Sequence, residues 1–131
     1  MDDVQAQRAT NGRGGAGDGP LAGVTLRDQR DAGGTRHLAA TRKPDGGILI
    51  EGQDLGPGVE RAFGPGLTEY EWAWVIGPDA VPAAIAALDG HEGDDPLRLL
   101  AGWFEAHGGI DPGTHLRQAG VPVEFWSRIG D

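Results

Sequence analysis

Hydrophobic and polar positions alternate with period two in four segments of the first part of the chain. Such alternation is typical of a β-strand that buries one of its faces. The predicted strands cover residues 24–27, 36–42, 48–51 and 69–76. Glycine-rich or Pro-Asp-Gly turns separate the first three, which predicts an antiparallel meander. In the fourth, Trp72 and Trp74 fall on one strongly apolar face.

After residue 77 the hydrophobic period lengthens to that of an amphipathic helix. Three helices are predicted, each preceded by an aspartate placed to cap its first turn: Asp79, Asp95 and Asp111. Alternation returns in residues 121–129, which predicts a final strand. Pro122 confines that strand to a sheet edge or lies at its start, because proline cannot donate a ladder hydrogen bond.

The resulting order, β-β-β-β-α-α-α-β, groups strands before helices and predicts an α+β fold. We expect an antiparallel sheet of four to five strands with two to three helices packed on one face. Residues 53–68 are predicted to form a long glycine-proline loop with at most one helical turn at 59–63. The expected core between sheet and helices includes Trp72, Trp74, Ile85, Leu100, Phe104 and Phe125.

The chain is predicted to have two parts of different character. Residues 1–20 are rich in glycine and poor in large apolar residues, so we expect a disordered leader. Residues 21–131 are predicted to form a single α+β domain, because their length suffices for one core. The acidic N-terminus and the lack of a long apolar run favour a cytoplasmic protein without a membrane partner.

The charge is distributed very unevenly along the chain. Residues 47–131 carry four arginines and fourteen acidic residues, whereas residues 1–46 are nearly balanced, within a total net charge of −9. This excess disfavours nucleic-acid binding, which requires a basic patch. The chain has no cysteine, which excludes disulfides and thiolate sites. We expect no cofactor.

The acidic excess favours a small non-enzymatic module that binds a basic protein partner. The predicted contacts flank the long loop and the strand after it, because a long loop beside a rigid strand is more often functional than accidental. They are Glu51, Asp54, Glu60, Glu69 and Glu71. The oligomeric state is left open by the sequence.

The alternative hypothesis is a small metal-dependent or carboxylate-based enzyme. The residues at positions 107, 111 and 115 are spaced by four and have side chains that bind metals: His107, Asp111 and His115. Glycine and proline between them break any continuous helix, so only a loop could gather them. The carboxylates near Asp54 could instead perform general acid–base chemistry.

Three segments resemble runs found in small uncharacterised actinobacterial proteins. They are Glu51–Pro57, Glu69–Trp72 and Phe125–Arg128, and the resemblance extends over about residues 47–131. In size and acidity the chain is also similar to immunity proteins that neutralise toxins. The resemblance to the uncharacterised proteins implies no particular activity, and the similarity to immunity proteins is one of class and not of motif.

Overall fold

The computed structural model of the chain describes residues 19–131. Its centre is a five-stranded antiparallel sheet in which every strand pairs with the next one along the chain. The strands are β1 (Gly23–Asp31), β2 (Gly34–Arg42), β3 (Ile48–Leu55), β4 (Glu69–Ile76) and β5 (Glu124–Gly130). The predicted leader, apart from Gly19 and Pro20, lies outside the described residues.

Four α-helices and one short 3₁₀ turn complete the described part of the chain. They are α1 (Pro57–Phe63), the 3₁₀ turn (Pro78–Ala80), α2 (Val81–Ala87), α3 (Pro96–Ala106) and α4 (Pro112–Gln118). The α+β class and the antiparallel sheet are confirmed. The predicted order and helix count are wrong in one respect, because α1 lies between β3 and β4.

The expected long loop is replaced by regular structure. β3 continues to Leu55, and α1 begins two residues later with Pro57 in its first turn, where the missing N–H costs nothing. The backbone N–H of Gly58 donates to the carbonyl of Gly33 at 2.8 Å, which anchors α1 against the β1–β2 turn. A contact between such distant positions leaves no local pattern in the sequence.

Alternate residues of the strands face in opposite directions. We call the side that contributes to the core the covered face, and the other side the open face. Trp72, Trp74 and Ile50 lie on the covered face and pack with Leu100 and Phe104 of α3. None of the open-face residues of β2–β5 belongs to this core cluster. Within the described residues 19–131, the sheet surface opposite the helices therefore lies outside the core.

Two of the three predicted caps form as expected. Asp95 accepts a hydrogen bond from the backbone of Leu97, and Asp111 accepts one from Gly113, at the starts of α3 and α4. Asp79 instead lies inside the 3₁₀ turn, whose cap residue is Gly77 and makes no side-chain hydrogen bond. The carboxylates of Asp95 and Asp111 thus fix where the helices meet the sheet.

Candidate functional site

Residues from neighbouring strands form rows across the open face. One row across β2–β5 consists of Ala39, Glu51, Ala73 and Trp126. The next row consists of His37, Gln53, Glu71 and Arg128. Small apolar residues therefore lie beside carboxylates, and the rows end at β5 with a tryptophan and an arginine.

Two carboxylates that accept hydrogen bonds from the same amide lie on this face. Gln53 Nε2 donates to Glu69 Oε2 at 2.9 Å and to Glu71 Oε2 at 3.4 Å. Arg128 Nη2 lies 3.4 Å from a carboxylate oxygen of each glutamate. The hydrogen bond with Glu69 lowers the pKa of Glu71 most, and Arg128 and Gln53 lower it further. Glu71 is therefore ionised at neutral pH.

Strand β5 carries three large hydrophobic side chains that are open to solvent. Phe125 is 41% exposed, Trp126 52% and Ile129 41%. Among residues 19–131, β5 pairs with β4 alone, and no described strand pairs with its other edge. The expectation that Phe125 is a core residue is wrong: its ring contacts Trp74 with 4.5 Å between centroids, but it lies at the sheet edge.

The structure places the five predicted partner contacts at three different locations. Glu51, Glu69 and Glu71 share the open face, since they alternate with the core residues of β3 and β4. Asp54 lies on the covered face opposite Arg36. Glu60 lies on α1 and accepts a hydrogen bond from the backbone of Gly66 at 2.9 Å. Three of the five thus form one surface.

Sequence reasoning missed the residues of β5 that adjoin this surface. Trp126 lies directly opposite Ala73, and Glu124 lies opposite Val75, both on the open face. The alternation of Phe125 and Trp126 was a usable signal, because adjacent residues of one strand cannot both enter the same core. The open face and the β5 edge are therefore one continuous candidate site.

The residues proposed as metal ligands have separate partners. His107 Nδ1 lies 2.8 Å from the Trp103 carbonyl, and His115 Nε2 lies 2.8 Å from the Ala87 carbonyl. Both imidazoles stack on the Trp103 indole. Asp111 accepts hydrogen bonds from Trp74 Nε1 at 3.1 Å and from the start of α4. All three side chains are therefore engaged in contacts within or between the helices and the sheet.

Two further kinds of feature are absent from residues 19–131. In that range no group of three or more histidine, cysteine or acidic side chains is arranged to hold a metal ion. Likewise, no helix among these residues has the length and apolar character needed to span a membrane.

A second polar region occupies the covered face at one end of the sheet. Gln29, Arg36 and Asp54 are successive neighbours on β1, β2 and β3. Beside them is a cavity of about 430 Å³, lined by residues of β1, by Arg36 and by the C-terminal end of α3 with the glycines after it. Burial raises the pKa of Asp54, against the opposing effect of Arg36 and Arg27. In the sequence, acidic residues lie between Arg27 and Arg36. Nothing in that order shows that both arginines line one cavity.

Comparison of the chain with protein-family models, with curated proteins and with solved structures found no match. The geometry of the two regions is therefore the basis for inferring function.

Proposed function

We propose that the protein is a binding module for another protein, with the free edge of β5 and the adjoining open face as its interface. The single observation that carries this proposal is the exposure of Phe125, Trp126 and Ile129 on an edge strand. An exposed hydrophobic edge is a template for a further strand, and folded proteins normally cover or blunt such edges. Strand addition is also a common mode of peptide recognition.

The side chains around β5 favour a particular kind of partner strand. On the covered-face side, Phe125 and Ile129 offer apolar contacts. On the open-face side, Trp126 is neighboured along β5 by Glu124 and Arg128, and Glu71 of β4 lies opposite Arg128. A strand added to this edge would place alternate side chains on these two sides. We therefore propose an extended segment in which lysine or arginine alternates with apolar residues.

Charge supports a basic partner over a second copy of the chain. A net charge of −9 opposes close approach of two identical molecules, whereas it attracts a basic segment. Trp126 also offers an aromatic face for a lysine or arginine side chain, an interaction worth about 0.5–1 kcal/mol when exposed. Charge and aromatic contact thus select the same class of residue.

A pair of synthetic peptides tests this proposal. In one, lysine alternates with valine; in the other, glutamate replaces each lysine. Titration into the labelled protein, followed by backbone amide NMR shifts, is expected to show saturable binding of the lysine peptide alone. The largest shifts should occur in β5 and in the facing residues of β4.

Two matched variants distinguish peptide binding at the β5 edge from peptide binding to any exposed hydrophobic side chain. Trp126→Ala should weaken binding about tenfold, the scale of an aromatic interface anchor. Ile110→Ala removes another exposed hydrophobic side chain, which is 57% exposed outside the sheet, and should leave binding unchanged. Equal binding of both peptides would contradict the proposal. So would a dimer in sedimentation velocity that Trp126→Ala dissociates, since a second copy would then occupy the edge.

A further inference from the structure

The cavity on the covered face lies between strand β1 and the C-terminal end of α3. Leu38, Gly52 and Trp72 form a buried row under the helices. The next row toward the sheet end is polar and contains Arg36 and Asp54. Helix α3 ends at Ala106, and Gly108 and Gly109 follow it into the cavity lining. Polar residues thus occupy core-facing positions beside an open space.

Arg27 is held in place at the wall of this cavity. Its Nη2 donates to the Gly109 carbonyl at 2.7 Å, and its guanidinium lies 5.2 Å from the centre of the Phe104 ring. Burial, and then the nearby charge of Arg36, lowers its pKa, but an arginine stays charged throughout the physiological range. The cavity therefore has one fixed positive group.

Arg36 supplies a second positive group that is much less constrained. Its side chain is half exposed, and its Nε lies 3.7 Å from Asp54 Oδ1, beyond hydrogen-bond distance. Within residues 19–131 no hydrogen bond engages its guanidinium, and Asp54 Oδ1 is buried without a hydrogen-bond partner. The donors of Arg36 are thus available to a ligand on the cavity side.

The residues that line this space carry an excess of one positive charge. Arg27 and Arg36 are the two cations of the lining, and Asp28 is its one carboxylate. Asp54 is not among the lining residues but lies beside Arg36. A guanidinium binds a carboxylate through two parallel hydrogen bonds. The volume of about 430 Å³ lies in the usual range for small-molecule sites.

We infer that this cavity binds a small monocarboxylate, with its carboxylate on Arg36 and Arg27 and its apolar part against Leu26 and Phe104. The inference is independent of the proposed protein-binding surface, which lies on the open face and at the opposite edge of the sheet. Phe104 and Leu26 are both part of the cavity lining. The carboxylate of the ligand forms hydrogen bonds with Arg36, which Asp54 does not form at its distance of 3.7 Å.

Butyrate and its neutral analogue butyramide test the site directly. The expected result is saturable butyrate binding, seen as amide NMR shifts at Gly108 and Gly109, with no binding of butyramide. Arg36→Gln should weaken butyrate binding at least tenfold. Arg30→Gln is the matched control, because Arg30 is an exposed arginine of β1 opposite Thr35, on the other face of the sheet. It should bind butyrate like the wild type.

A third variant and a second anion make the test sharper. Asp54→Asn should bind butyrate more tightly than the wild type, because it removes the group that competes for Arg36. Inorganic phosphate should bind more weakly than butyrate, since it brings extra negative charge and no apolar part. Tighter phosphate binding would overturn the carboxylate assignment. Equal butyrate affinity in the wild type and Arg36→Gln, or no saturable shift at all, would overturn the site.

Discussion

Two glycines lie beneath the indole rings of β4 and allow the close packing of the core. A Cβ atom built on Gly52 would overlap the ring of Trp72, and one built on Gly113 would overlap the ring of Trp74. Neither tryptophan can move away easily, because both are buried among helix residues. These positions show why a glycine-rich chain can still have a well-packed core.

We predict that Gly52→Ala lowers the free energy of unfolding by about 2–3 kcal/mol, as overpacking typically does. Urea denaturation monitored by tryptophan fluorescence measures the change. Gly102→Ala is the control: Gly102 lies in α3, and its Cβ would meet nothing within 4 Å. That change should raise stability by about 0.5–1 kcal/mol, because glycine is unfavourable within a helix. A similar loss in both variants would contradict the packing argument.

Asp54 gives the stability a pH dependence of predictable sign. Its pKa is raised in the folded chain, chiefly by burial, so the unfolded chain loses this proton first as the pH rises. Stability therefore falls through the interval between the two pKa values, and ionised Asp54 is unfavourable at neutral pH. We predict that Asp54→Asn is more stable than the wild type at pH 7. The gain should vanish below the ordinary pKa of aspartate in urea denaturation at a series of pH values.

The caps of α3 and α4 illustrate how local sequence signals determine an element. Asp95 receives hydrogen bonds from Leu97 N at 3.0 Å, from Arg42 Nη2 at 2.8 Å and from Leu21 N at 2.8 Å. It therefore caps α3 and also joins it to β2 and to the segment before β1. Asp79 carries the same side chain at a helix start but caps nothing.

We predict that Asp95→Ala lowers the free energy of unfolding by about 2–4 kcal/mol, through the lost cap and the partners left unpaired. Asp79→Ala should change it by less than about 0.5 kcal/mol, as for other exposed positions. Thermal unfolding followed by circular dichroism compares the two variants. Equal melting temperatures would show that the Asp95 contacts contribute little.

Elements with strong local patterns were predictable, and those fixed by distant contacts were not. Strands β1–β4 follow from alternation, and α3 and α4 follow from an aspartate before a proline. Helix α1 depends on the hydrogen bond from Gly58 to Gly33, which joins its first turn to the distant β1–β2 turn. At the site, alternation placed Glu69 and Glu71 together. Alternation could not show that Asp54 lies near Arg36 and Arg27, because that proximity depends on the pairing register of the strands.

Considered as a whole, the molecule presents different features on the two sides of one sheet. The covered face supports the helices and, at one end, the arginine-lined cavity. The open face and the β5 edge combine acidic groups with exposed aromatic and aliphatic side chains. Since the acidic excess belongs to residues 47–131, we expect association with a basic partner to be electrostatically steered. Such steering weakens as salt shortens the screening length.

The most direct test of the account is the association rate of the lysine–valine peptide with two doubly charge-reversed proteins. Glu51→Lys with Glu124→Lys alters the open face, whereas Glu92→Lys with Glu105→Lys makes the same change in net charge at exposed positions outside the sheet. Stopped-flow fluorescence at low salt should show about a tenfold slower association for the first protein alone, and the difference should disappear near 1 M salt. Equal rates for the two proteins would contradict the assignment of the open face and the β5 edge as the interface.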